Sequence, residues 1–166
     1  PVVNWEPIVA PPPTRPKVPY EPPHWAQAGS GLFCFEVLRG GLHIDTVRMR
    51  SADPSIMFVS VGRADCDIVC AHASVSRYHA VLQFGSPRND PNVVFAAKPT
   101  GEPVVMYIFD LGSTHGTRIN KRVIPVKKFV ATYEGDHVTF GESSRIYVVS
   151  RHGANPAERS VANGAA

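Results

Sequence analysis

No window of a dozen residues in this sequence carries a convincing helical stripe, and no apolar run approaches the length needed to cross a membrane. Helical bundles and membrane-spanning helices are thereby excluded, and no membrane partner is expected. Cysteine is scarce. Cys34, Cys66 and Cys70 are an odd set that does not form a disulfide framework, and nothing resembles a signal peptide, so an intracellular, reduced protein is expected. Strong charge of either sign is also missing. A formal net charge of +3 falls well short of the dense Lys/Arg footprint of a strong nucleic-acid binder, although it permits anionic ligands. The chain opens at Pro1 without an initiator methionine and reads as a piece of something longer.

Proline is abundant, but at one end. Of 16 prolines, nine precede Trp25, a density that excludes helix and central strand alike and predicts an extended arm over residues 1–31. Its Pro13-x-x-Pro16 and Pro16-x-x-Pro19 spacings lack the flanking basic residue of an SH3 or WW ligand, so a linker is the simpler reading. Tyr20 and Trp25 are costly to leave in water and are expected to pack back on the domain. Residues 151–166 have little to bury and read as a tail. One domain, residues 32–150, is left between, long enough for one sizeable core.

Within it the apolar period is two. Phe33, Phe35 and Val37 share a face, as do Met57, Val59 and Val61, and Val105, Tyr107 and Phe109; shorter runs follow at His43–Met49, Asp67–Val69, His79–Phe84, His137–Phe140 and Ile146–Val149. Gly-Gly, Glu-Gly-Asp and Gly-Glu-Ser turns separate them. An all-β fold follows, a β-sandwich with mostly antiparallel pairing. From residue 85 to 103 the pattern lapses, which predicts a long excursion, either a surface insertion or a partner-binding loop.

Polar groups crowd the strand ends. "VGRADCD" sets Gly62 and Arg63 after one strand, "ASVSRYHAVLQF" sets Ser76, Arg77 and His79 before another, and "FDLGSTHGTRIN" sets Ser113, Thr114 and His115 after a third. The three loops offer guanidinium, hydroxyl and glycine-freed N–H donors in excess of acceptors. Such a set suits phosphate, because Arg grips two oxygens in fork geometry while hydroxyls and N–H groups take the remaining lone pairs.

These motifs, in this order and with this spacing, resemble the forkhead-associated (FHA) domain: Gly-Arg at 62–63, Ser-x-x-His at 76–79, and Ser-x-x-Gly-Thr at 113–117 followed by Asn120. The resemblance implies an eleven-stranded, mostly antiparallel β-sandwich whose loops at one end bind phosphothreonine peptides, with no catalysis and no cofactor or metal. It assigns Arg63, Ser76 and Thr114 to the phosphate, Arg77 and His115 to the peptide beside it, and Gly62, His79, Ser113, Gly116, Thr117 and Asn120 to the shape of the loops. His115 departs from the family pattern, which usually has Asn there; a histidine both donates and accepts only as a neutral tautomer. The pattern is most like that of nuclear members associated with pre-mRNA splicing. It therefore implies a monomeric, nuclear domain that recruits a phosphothreonine protein, with phosphothreonine-proline as one preference.

Other chemistries compete. Ser76, His79 and Asp110 are the raw material of a hydrolase, but no strained nucleophile elbow is present. Cys66, Cys70 and His72 offer zinc ligands at a loose spacing with no second pair, and buried thiols are the simpler expectation. Lys121, Arg122, Lys127 and Lys128 keep RNA binding, or a phosphate-independent interaction domain, as the alternative; RNA could also engage other parts of the parent chain.

Overall fold

Alternating apolar residues oblige each strand to bury one face, and two sheets meet over a shared core. The structure, a computed structural model, describes residues 17–49, 56–94 and 104–151. Twelve strands occur among them, in chain order β1 (Phe33–Arg39), β2 (Leu42–Arg48), β3 (Phe58–Gly62), β4 (Ile68–Val69), β5 (Ala80–Gly85), β6 (Val93–Val94), β7 (Val105–Asp110), β8 (Thr117–Ile119), β9 (Arg122–Val123), β10 (Phe129–Ala131), β11 (His137–Phe140) and β12 (Arg145–Arg151). One sheet has the order β2-β1-β12-β11-β8-β9 and the other β4-β3-β5-β7-β10-β6. All pairs are antiparallel except β3 with β4 and β10 with β6. The expected count of eleven differs by one, and β4, β6 and β9 are only two residues each.

The core draws Phe33, Phe35 and Val37 from β1, Val59 and Val61 from β3, Leu82 and Phe84 from β5, Val138 and Phe140 from β11, and Tyr147 and Val149 from β12. From β7 it takes Met106 and Ile108. Val105, Tyr107 and Phe109 do share a face, but it is the outer one. Met57 lies before β3 and is exposed rather than continuing the Val59–Val61 face inward.

The outer face of β7 needs a cover, and the proline-rich segment supplies it. Trp25 is buried against Phe129 and Tyr107, with ring centroids 4.9 and 5.3 Å away, and Tyr20 sits 5.0 Å from Phe58 and 5.4 Å from Phe109. Each ring finds a partner for its polar atom: Trp25 Nε1–H donates to Asp90 at 2.6 Å, and the Tyr20 hydroxyl donates to Gln83 Oε1 at 2.6 Å. Burial, with the Asp90 charge adding to it, pushes the Tyr20 phenol far above its ordinary range. Gly85 makes the docking possible, since a Cβ there would lie 2.5 Å from the Trp25 carbonyl oxygen. The sequence-predicted excursion after Gly85 is partly woven into the sheet: Asp90 anchors Trp25, and Val93–Val94 forms the edge strand β6. Residues 95–103, the Pro13-x-x-Pro16 spacing and the expected tail from residue 152 lie outside the described residues.

Removing the Trp25 ring would leave an aromatic-lined hollow and deprive Asp90 Oδ2 of the Trp25 donor. Trp25→Ala is expected to lower the unfolding free energy by about 3–5 kcal/mol in urea denaturation; a change within about 0.5 kcal/mol would mean that the arm does not contribute to the fold.

Candidate functional site

Three connections gather at one end of the sandwich: β3 to β4, β4 to β5, and β7 to β8. Their approach begins at Gly62, the last residue of β3. A Cβ there would stand 2.0 Å from the Arg77 carbonyl oxygen and 2.7 Å from Cys66 Sγ, so only glycine allows the β4–β5 connection to cross. The crossing is then tied by backbone hydrogen bonds, Arg63 N–H to Ser76 O at 2.9 Å and His79 N–H to Val61 O at 2.9 Å.

His79 is fully buried and spent on structure. Its Nδ1 accepts from the Ser76 N–H at 3.1 Å, which leaves the proton on Nε2, and Nε2–H donates to the Gly116 carbonyl at 2.9 Å. Burial pushes its pKa below the ordinary histidine value; His115 pushes the same way, while the Gly116 bond and Asp110 oppose.

Asp110, also fully buried, shapes the β7–β8 connection. One carboxylate oxygen accepts from the N–H groups of Gly112 and Ser113, and the other from the hydroxyls of Ser113 and Thr117, at 2.7–2.8 Å. The Ser113 hydroxyl in turn accepts from Gly116 N–H at 3.0 Å. Ser113 and Thr117 therefore have no hydroxyl proton left for a ligand. Asn120 closes the β8–β9 turn by donating to Asp136 and accepting from His137 N–H.

What remains available lies on the outside of this frame. The Thr114 N–H donates to Ser76 Oγ at 3.2 Å, which joins two connections and leaves the Ser76 hydroxyl proton to give. Thr114 and His115 are exposed beside it. Arg63 spends one Nη1–H on the Val75 carbonyl at 3.2 Å and keeps its other donors at the surface. Arg77 pairs with Asp65 at 2.6 Å, both side chains 60% exposed, so water competes well for the pair and the guanidinium is easily exchanged to a ligand. Arg63, Ser76 and Thr114 are thus brought together by hydrogen bonds, with Arg77 on the same connection as Ser76 and His115 next to Thr114.

Comparison with known proteins fits this geometry. The FHA domain family matches residues 59–141, from β3 through the turn after β11. The chain belongs to the FHA domain family. That family consists of phosphothreonine-binding protein-interaction modules. Among curated relatives, human kanadaptin is 35% identical over 79% of this chain and 16% of its own length, and the uncharacterized protein ZK632.2 of Caenorhabditis elegans is 38% identical over 79% of this chain and 18% of its own. The chain thus spans less than a fifth of either. Mouse Smad nuclear-interacting protein 1 is 35% identical over 58% of this chain and 24% of its own. Of solved structures, the FHA domain of TbPar42 superposes with a TM-score of 0.56 at 27% identity, covering 82% of this chain and 66% of that one. The yeast Pml1 splicing factor shares the fold with a TM-score of 0.62 at 17% identity, covering 81% of this chain and 98% of that one.

The competing chemistries find no geometry in this FHA domain. Both His79 nitrogens are occupied by backbone groups, and neither bonds Ser76 Oγ, so Ser76, His79 and Asp110 do not make a nucleophile relay. Cys66 Sγ points to the Arg77 carbonyl, Cys70 Sγ to the Tyr147 hydroxyl and His72 Nδ1 to Ser74. Among the described residues, no group of three or more His, Cys, Asp or Glu side chains could hold a metal ion. Burial raises the pKa of both thiols.

Reading the residues left Asp110 without its structural role. The signal was present: Asp followed at two and three residues by Gly and Ser is the pattern of a carboxylate capping its own turn. His79 supplies a pH test. A histidine kept neutral in the fold but free to protonate when unfolded favours folding above about pH 6.5, the unfolded value, and that contribution is lost as the pH falls below it. Wild type is expected to lose stability between pH 7 and 5 more steeply than His79→Gln in urea titrations; parallel curves would exclude His79 as the source.

Proposed function

We propose that this FHA domain is a monomeric, non-catalytic phosphothreonine-peptide binding module, with the phosphate held by Arg63, Ser76 and Thr114. The observation that carries the reading is the Thr114 N–H to Ser76 Oγ bond, which puts two hydroxyl-bearing loops in contact beside the Arg63 guanidinium. A phosphate dianion placed there receives charge-assisted bonds from Arg63 and hydroxyl bonds from Ser76 and Thr114, while Arg77 and His115 flank the peptide. Gly62, His79, Ser113, Gly116, Thr117 and Asn120 hold the frame. Because the frame is held by hydrogen bonds within the chain, little ordering is left to oppose binding.

The partner we propose is a nuclear phosphoprotein tied to pre-mRNA splicing, with phosphothreonine-proline among its motifs. The sequence pattern of the third loop supports this, as does the likeness to a protein named as nuclear-interacting in mouse. The basic residues of the RNA alternative are divided between Lys121 in the β8–β9 turn with Arg122 at the start of β9, and the β9–β10 connection, where Lys128 Nζ bonds Asn92.

Binding to a phosphothreonine peptide library, read by fluorescence anisotropy, tests the assignment. Arg63→Ala is expected to weaken binding by about 3 kcal/mol, roughly a hundredfold, and the unphosphorylated peptide to show no measurable binding. Phosphoserine is expected to be weaker by about fourfold from the lost methyl alone. Affinity that survives Arg63→Ala would remove the phosphate assignment, and salt-steep RNA binding indifferent to it would favour the alternative.

A further inference from the structure

A second basic hollow opens at the same end of the sandwich and has no part in the phosphothreonine cradle. It has a volume of about 190 Å³ and is lined by Arg39, Arg145, Cys70, His72, Ser143 and Ser144. Arg39 ends β1 and Arg145 begins β12, and the two are direct cross-strand partners. Like charges placed directly opposite on antiparallel strands repel and destabilise the sheet. Among the described residues no carboxylate forms an ion pair with either one. Both continue the inward-facing rows, Phe35–Val37 on β1 and Tyr147–Val149 on β12, and so stand at the rim where the core opens.

The remaining lining supplies donors. His72 Nδ1 accepts from the Ser74 N–H at 3.2 Å and meets the Ser74 hydroxyl at 2.7 Å, which leaves the ring proton on Nε2. Ser143 and Ser144 bring hydroxyls from the β11–β12 turn, and Tyr147, two residues after Arg145 on β12, carries the hydroxyl that meets Cys70 Sγ at 3.1 Å. Two guanidinium groups and three neutral donors face a hollow large enough for a tetrahedral anion. An anion placed between Arg39 and Arg145 turns their repulsion into binding.

We infer that this hollow binds a second phosphate monoester, carried by the same peptide that occupies the Arg63 cradle. His72 lies four residues before Ser76 on one connection, and Ser74, between them, bonds both His72 and the Glu142 N–H of the β11–β12 turn. Four extended residues span at most about 14 Å. A peptide phosphorylated at a second side chain within roughly four or five residues of its phosphothreonine reaches both sites. This rests on the phosphothreonine reading for its partner class, but the hollow itself can be tested without it.

Phenyl phosphate titrated into the chain, followed by amide chemical shifts, separates the two sites. The expected result is one set of shifts at Ser76 and Thr114, abolished by Arg63→Ala, and a second at His72 and Ser143 to Arg145, unaffected by Arg63→Ala but abolished by the exposed double change Arg39→Gln with Arg145→Gln. Shifts confined to the first set, or to neither, would overturn the hollow as a phosphate site; loss of the first set alone would overturn only the cradle. Peptides carrying a phosphothreonine and a second phosphoserine at each position up to five residues on either side then test the source. At least one is expected to bind roughly tenfold tighter than its singly phosphorylated parent, with the gain lost in the double variant and the parent's affinity unchanged. No gain at any spacing would show that the hollow serves free phosphate and not the peptide.

Discussion

The buried carboxylate of Asp110 sets the shape of the end of the sandwich where every proposed ligand contact lies. It takes four hydrogen bonds, from the N–H groups of Gly112 and Ser113 and the hydroxyls of Ser113 and Thr117. With those groups spent inward, Thr114 and His115 are turned outward. His79 completes the frame from the connection that enters β5, the neighbour of β7 in the same sheet, gripping Ser76 with one nitrogen and Gly116 with the other. Neutrality is what lets it do both, and burial enforces neutrality. Recognition chemistry and folding are thus divided between near neighbours: Asp110, Ser113 and Thr117 face the frame, and Thr114 and His115 face the solvent.

The same division operates across the second sheet. Strand β7 has no solvent face, because Met106 and Ile108 point into the core while Tyr107 and Phe109 are roofed by Trp25 and Tyr20. The proline-rich arm is therefore part of the fold from Tyr20 onward. Proline suits the stretch before Trp25, which lies across the sheet without ladder hydrogen bonds; pairing begins only after it, where Ala26 bridges Gly85 and Gln27 N–H donates to the Phe84 carbonyl at 3.0 Å.

How much of this was legible in the sequence depends on the range of the interaction. Period-two runs marked β1, β3 and β7, and the price of exposing Tyr20 and Trp25 pointed to their packing, because both signals are local. Strands β6, β8, β9 and β10 were not marked; at two or three residues each they have no period to read, and pairing partners far along the chain define them. The donor-rich loops stood out as residue types, and the order of their motifs carried the family. That Gly62 serves as a crossing point and Arg39 faces Arg145 could not be read, since both follow from register between strands distant in sequence. Asp110 lay between: its turn signature was local, yet a carboxylate beside Ser and His invites a catalytic reading until its hydrogen bonds are counted.

The central claim is that a preformed frame presents Arg63, Ser76 and Thr114 to a phosphate. A crystal structure of the chain with a phosphothreonine peptide tests it most directly. The predicted result has phosphate oxygens within hydrogen-bond distance of the Arg63 guanidinium and the Ser76 and Thr114 hydroxyls, with the four bonds to Asp110 and both His79 bonds unchanged. A phosphate seated elsewhere, or bound only after the Asp110 turn has come apart, would contradict it.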